Sequence, residues 1–282
     1  MRIANLAGRA VLLVEDGALD IHKASGGTLG PDPSALFDHW DEVRPQLAGL
    51  TGAPVPYTDT DLLAPVPAPR QIFAIGVNYA DHAAEADLAP PAPSGCPVTF
   101  TKFASCLTGP YTHVGLPEGM VDWEVELVAV IGRRAHHVAA ENAWAHVAGL
   151  TVGQDLSERL TQWSGPAPQQ FSLGKSYPGF GPLGPAVVTV EEFDDPDDLR
   201  IGCDLNDVPM QNARTSGMIF SVPELVARLS AVVPLLPGDL IFTGTPAGIG
   251  ATRVPAVFLK PGDELVSRIE GIGTLSTTFV EA

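Results

Sequence analysis

At 282 residues, with 45% hydrophobic and 17% charged side chains, the chain can bury one large core, or one core with a small companion domain. Its 33 acidic residues against 16 basic ones give a net charge of −17, a surface that repels phosphate backbones and excludes nucleic acid as a partner. No apolar run approaches the roughly 20 residues needed to cross a bilayer, so a membrane is not expected as a partner either. The three cysteines, Cys96, Cys106 and Cys203, form no C-x-x-C, and no secretory signal is recognisable, which together read as free thiols in a reducing cytoplasm.

Residues 1 to about 65 read as a small α/β piece. Residues 10–14 are a short apolar strand, 15–21 a turn into a second strand, and a helical pattern begins after Pro33 with Ser34 as a possible N-cap. A proline-punctuated connector, residues 62–69, follows. The expected organisation is therefore an accessory domain over 1–68 and a larger catalytic one over 69–282.

In residues 71–85 an apolar strand ends at Gly76 and a polar, helical turn follows. His82 and Glu85 stand at i and i+3, so a helix would bring them together. An imidazole with a carboxylate partner is a plausible general base, because the carboxylate fixes the tautomer and stabilises the imidazolium. Pro90, Pro91 and Pro93 follow in a stretch with little apolar content. Residues from about 80 to 96 are therefore expected to form a lid, mobile or remote from the rest of the site until substrate closes it.

Residues 121–127 alternate carboxylates with bulky apolar side chains, the period of a half-buried strand. Asp122, Glu124 and Glu126 would share one face, with Val121, Trp123, Val125 and Leu127 on the other. An isolated E-x-E is ordinarily a solvated face. Three acids among residues that favour burial repel one another, and a hard divalent cation would relieve the conflict. Alternation alone does not choose among the three.

Residues 150–155 are another strand, with Asp155 at its C-terminal end, and Ser157, Arg159 and Gln162 follow in a polar turn. Lys175 sits in a Gly-Lys-Ser that lacks the upstream glycine of a phosphate-cradling loop. From Pro182 the pattern is β-rich, with strands near 186–189, 199–203, 240–243 and 264–269. One helix, near 221–229, carries a serine N-cap, an early proline and a glutamate at its third position. The glycine-rich turn 244–250 lacks dinucleotide-binding spacing.

Six motifs now occur in order: Gly76-Val77-Asn78-Tyr79 with His82 and Glu85; Asp122-Trp123-Glu124-Val125-Glu126-Leu127; Gly149 to Asp155 with Ser157 and Arg159; Gly174-Lys175-Ser176; Phe242 to Gly248; and Pro261-Gly262-Asp263 with Gly271 to Leu275. Together they resemble the fumarylacetoacetate hydrolase superfamily, over roughly residues 70 to 282. The resemblance implies an α+β, β-rich fold: a mixed β-roll with a small N-terminal α/β domain, ordinarily a homodimer. It implies Mg²⁺ or Mn²⁺ held by Glu124, Glu126 and Asp155, a water-activating His82 and Glu85, and an active-site Lys175. It also implies substrate contacts from Arg159, Gln162, Thr245 and Tyr79. Leu160 departs from the family, where many relatives carry Asp, and puts the orientation of Arg159 in question.

The activity this implies is hydrolysis of a C–C bond in a 2,4-dioxo acid of the acylpyruvate type, through a metal-stabilised enolate and a water activated by His82. Lys175 and Arg159 would neutralise the charge of a 2-oxo acid that the rest of the molecule repels. Oxaloacetate decarboxylation, tautomerisation or isomerisation, and hydration of 2-oxo acids use the same site and are the alternatives. A chain that has lost catalysis and only binds a metal is the reading from another class.

Overall fold

The computed structural model describes residues 1–167 and 169–282. Strands β1 (Arg2–Leu6), β2 (Arg9–Val14) and β3 (Gly17–Asp20) open the chain, followed by helices α1 (Ile21–Ala24), α2 (Ala35–Asp38) and α3 (Trp40–Leu47). Next come β4 (Leu62–Leu63), β5 (Ile72–Gly76), α4 (Ala80–Glu85), β6 (Val98–Thr101), β7 (Leu107–Thr108) and β8 (Tyr111–Leu116). The central part holds β9 (Val121–Asp122), β10 (Val125–Ile131), β11 (Val147–Gln154), β12 (Ser157–Glu158), α5 (Arg159–Trp163), α6 (Phe171–Gly174) and β13 (Gly181–Val188). The last part holds β14 (Arg200–Leu205), β15 (Val208–Arg214), α7 (Val222–Ser230), β16 (Leu240–Phe242), β17 (Glu264–Ile269) and β18 (Gly273–Glu281).

An 11-stranded mixed sheet runs β3-β2-β1-β13-β11-β10-β16-β5-β6, with β4 and β7 off the path, and a five-stranded sheet runs β15-β14-β17-β18-β8. This is the expected β-rich α+β fold. β10 lies at its heart, with all seven residues buried. Val125, Leu127, Ala129 and Ile131 pack into the core that the second sheet closes. Val128 and Val130 face the opposite way, against Phe37, Trp40 and Leu47 of α2 and α3. A strand covered on both faces cannot alternate cleanly, which is why residues 127–131 read as a continuous apolar run.

The expected boundary at residue 68 falls between β4 and β5. On its N-terminal side β1 pairs with β13, Ile3 opposite Val187, and the helices there share a core with Ile72, Ala74, Leu240 and Phe242 from the other side.

Local signals were kept in some places and overridden in others. Around α7, Ser221 and Glu224 form the expected capping box, with Pro223 in the first turn. Ser34 makes no cap, because its backbone is already helical (φ −69°, ψ −39°), and the helical run breaks at His39. Residues 140–146 form a 3₁₀ segment. The hairpin β14–β15 turns on Asn206 and Asp207, at φ 50° and 64°. That is a two-residue turn of the primed kind, which is usually marked by Asn-Gly.

Candidate active site

The acidic stretch does not form one strand. Asp122 belongs to β9, which pairs with β12, and Glu126 to β10, which pairs with β11; Trp123 and Glu124 lie in the break. The break sends the acids in two directions. Asp122 Oδ2 accepts from Arg159 Nε at 3.0 Å and Nη2 at 2.7 Å. Its Oδ1 accepts from the amides of Trp123 and Gly250. Asp122 is thus an anchor for Arg159 and for the turn at 250. Glu124 and Glu126 turn to Asp155, and carboxylate oxygens of the three lie within 4.8 Å of one another, all buried.

Several contacts fix that cluster. The Asp155 amide donates to Glu124 O at 2.9 Å. Glu124 N donates to Gln154 Oε1 and Val125 N to Gln211 Oε1. Thr245 Oγ1 donates to Val125 O while accepting from Gln211 Nε2, so this expected substrate contact already clips the strand that carries the glutamates. Glu126 Oε2 accepts from Gly244 N at 2.8 Å. Gly244 has φ +97°, and a Cβ there would come within 2.7 Å of Asn78 Cβ, so the approach requires glycine.

Charges are distributed unevenly over the cluster. Lys175 Nζ donates to Glu124 Oε2 at 2.6 Å and Asp155 Oδ2 at 2.8 Å. Arg159 Nη2 lies 2.7 Å from Glu124 Oε1. Lys102 Nζ donates to Asp155 Oδ1 at 2.6 Å and to the Lys175 carbonyl. Burial opposes ionisation of Glu124, but Lys175 and Arg159 outweigh it and hold the carboxyl below its usual range. Burial likewise opposes the Lys175 charge, and Asp155 and Glu124 overcome it. Among the described residues no lysine or arginine forms an ion pair with Glu126, and the Lys175 charge offsets its surroundings only in part. Burial, then Asp155 and Glu124, push its carboxyl well above the usual range. Three hard oxygen donors converging, one of them without a direct ion pair among the described residues, fit a divalent ion of the Mg²⁺ or Mn²⁺ kind.

His82 and Glu85 meet as expected, with Nδ1 2.8 Å from Glu85 Oε1. Gly248 N holds the other oxygen at 2.8 Å. Burial works against the Glu85 charge, but the His82 and Gly248 hydrogen bonds prevail and keep its pKa low. With Nδ1 turned to Glu85, Nε2 is the ring nitrogen left free of that contact. Of the two alternatives for residues 80 to 96, mobile or remote from the metal site, remoteness is not what the structure has: His82, Glu85, Asp87 and Leu88 line one cavity with Glu124, Arg159, Gln162, Lys175 and Thr245. Two features hold the segment there: the Glu85–Gly248 contact, and Arg228, whose guanidinium donates to the carbonyls of Pro93 and Gly95. Val77, leading into α4, sits in the same cavity at φ +56°, a strained conformation for a β-branched residue.

Gln162 accepts from Arg159 Nη1 at 2.9 Å and donates to Gln169. Leu160 is half exposed, and Arg159 is oriented by Asp122, Glu124 and Gln162, so position 160 does not decide its direction. Tyr79 is buried with an unpartnered hydroxyl; burial, with Glu126 nearby, raises its pKa, and it is not among the cavity's lining residues. Lys102 is the site residue that sequence reasoning left out. Its only local signal is a lysine at the end of an apolar strand.

Three comparisons bear on this geometry. Residues 71–280 match the family model described as fumarylacetoacetate hydrolase, C-terminal. The mitochondrial oxaloacetate tautomerase FAHD2A of Bos taurus is 45% identical over 241 residues, 84% of this chain and 75% of that one. A crystal structure from Mycobacterium smegmatis, provisionally described as an HpcE protein, is 50% identical with a TM-score of 0.95 and full coverage of both chains. Maleylpyruvate hydrolase from Sphingobium sp. SYK-6, solved with manganese(II) and pyruvate, is 30% identical with a TM-score of 0.79, again over both full chains.

Proposed function

The chain belongs to the fumarylacetoacetate hydrolase family, whose members act on oxo acids, and from that premise we propose that it catalyses enol–keto tautomerisation of a small 2-oxo acid, oxaloacetate foremost. The observation that carries this reading is a hydrogen-bonded pair, His82 and Glu85, on the same cavity as Lys175 and Glu124, the member of the carboxylate cluster that lines it. The relative at 45% identity, named an oxaloacetate tautomerase, supports the reaction type.

A divalent cation held by Glu124, Glu126 and Asp155, Mg²⁺ or Mn²⁺, supplies when bound a positive centre that polarises the 2-oxo group. Arg159 and Gln162 bind and orient the substrate's carboxylates, a need made acute by a net charge of −17. His82 takes the C3 proton at Nε2, and Glu85 holds the imidazole and stabilises the imidazolium that forms. Lys175 stands on the oxygen side, where its ammonium offers a proton to O2. One proton leaves carbon and one reaches oxygen, so the step balances without an oxidant or a second substrate. Thr245 and Tyr79 act as supports of the site in this reading, Thr245 by clipping the metal-ligand strand.

Hydrolysis of a 2,4-dioxo acid is the second reading. The oriented His82 would equally serve an attacking water, and maleylpyruvate hydrolase is a structural neighbour. Parallel assays separate the two: loss of the oxaloacetate enol absorbance, and pyruvate release from acetylpyruvate, each with Mg²⁺ and after chelation. Faster, chelator-sensitive loss of the enol supports tautomerisation. Pyruvate release with no acceleration of the enol signal assigns the site to hydrolysis.

A homodimer is part of the proposal, and a monomer in sedimentation at micromolar concentration would remove it. Among the described residues no helix is long and apolar enough to cross a membrane. Relatives named as mitochondrial do not fit a plainly cytoplasmic placement, so the compartment is proposed only as a reducing one.

A further inference from the structure

The cavity that Glu124 and Lys175 line has a volume of about 690 Å³, the scale of a drug-sized ligand and far more than a four-carbon diacid fills. Its two ends differ in kind. At the inner end, Lys175 Nζ lies 5.4 Å from the centre of the Phe100 ring. From Phe100 the wall continues outward through Phe171, stacked on it at 5.4 Å and 24°. Trp163 and Leu88 line the same cavity and are about half exposed, at 47% and 51%. Large apolar side chains left half exposed on the wall of one cavity mark a surface awaiting an apolar partner.

Charge gives the complementary argument. The only lysine or arginine side chains among the described lining residues are Arg159 and Lys175, both paired with carboxylates at the inner end. The segment that carries Leu88 contributes an acid, Asp87. A short diacid keeps its second carboxylate near Arg159 and Gln162. On a longer substrate, a charged end reaching the outer wall would meet no lysine or arginine and would feel Asp87. A flat, neutral group would lie along Phe171 and Trp163 in the offset or edge-to-face arrangements that aromatic rings prefer.

Resting on the enolising site described above, we infer that the outer half of this cavity is a subsite for an aryl group on C3, so that the protein also tautomerises 3-aryl 2-oxo acids. The chemistry is unchanged. The C3–H bond breaks and an O–H bond forms, with the proton collected by His82 and one delivered from the oxygen side.

The test uses the Mg²⁺-loaded full chain with phenylpyruvate as the probe. Calorimetry against pyruvate reads the subsite alone, and decay of the phenylpyruvate enol absorbance, beside that of oxaloacetate, reads turnover. Phenylpyruvate is expected to bind about tenfold more tightly than pyruvate or better, from burial of its ring. Its enol decay should be accelerated by the protein. In Trp163→Ala the ratio of kcat/KM for phenylpyruvate to that for oxaloacetate should fall about tenfold, and Trp163→Phe should restore most of it. Trp163 is half exposed, so its loss should not endanger the fold; Phe171→Leu gives an independent reading of the same wall. Oxaloacetate turnover without binding or turnover of phenylpyruvate would overturn the inference and leave the tautomerase reading standing. So would a kcat/KM ratio that neither substitution moves. Tight, Trp163-dependent phenylpyruvate binding with turnover of neither substrate would support the subsite, and the tautomerase reading would be what fails.

Discussion

Arg159 is held by the charge-assisted hydrogen bonds it donates to Asp122 and by an ion pair with Glu124, all buried. Breaking one side of such a buried pair leaves an uncompensated charge. Asp122→Asn is expected to cost about 3 kcal/mol in denaturant unfolding, and to raise KM more than it lowers kcat, because Arg159 loses its direction rather than its charge. Gly244→Ala acts on the metal through a neighbour. Its Cβ would press on Asn78 and move the amide that holds Glu126. A lost supporting contact of this kind ordinarily weakens metal affinity about 10–100-fold, which a Mn²⁺ titration followed by electron paramagnetic resonance would read. At this scale the acids and His82 were legible in the sequence, because charge in an apolar context is a local signal. Which two acids of the 122–126 stretch join Asp155 was legible only through the family resemblance, since the choice follows from a strand break that periodicity does not reveal. Lys102 was illegible for a related reason: its role depends on Asp155, 53 residues away.

The helix α4 and the start of the proline-rich segment after it carry His82, Glu85, Asp87 and Leu88 to the wall of the cavity. Arg228 of α7 stacks on Phe220 at 4.7 Å while donating to Pro93 and Gly95. In Arg228→Ala, amide hydrogen exchange over residues 86–97 should accelerate while the strands β10 and β11 keep their protection, since the clasp ties the segment and not the core. Equal acceleration everywhere would show that Arg228 stabilises the whole domain. The sequence suggested a loose lid from its low apolar content. What it could not show is a clasp from a residue more than 130 positions away. Elements with local chemistry were readable: the Ser221–Glu224 capping box places the start of α7, whereas the β14–β15 hairpin was missed because Asn206-Asp207 takes the place of the usual Asn-Gly.

Across the whole molecule, the N-terminal 68 residues finish the main sheet and cover one of its faces. Removing them would strip β1 from β13 and expose Val128, Val130 and Phe242, now packed with Phe37 and Trp40. A chain of residues 69–282 is therefore expected to bind a hydrophobic dye and to unfold at lower denaturant than the full chain. An equal midpoint would show that the larger part folds alone. The central claim is that one cavity joins a carboxylate-held cation to a base that moves a proton at C3. Its most direct measurement is deuterium uptake at C3 of oxaloacetate in D₂O with Mg²⁺, followed by proton NMR above the uncatalysed background. Wild type should accelerate the exchange, Glu126→Gln should abolish the acceleration, and His82→Ala should reduce it about 10²–10⁴-fold, the range for a lost general base. Acceleration that survives undiminished in Glu126→Gln or His82→Ala would contradict it.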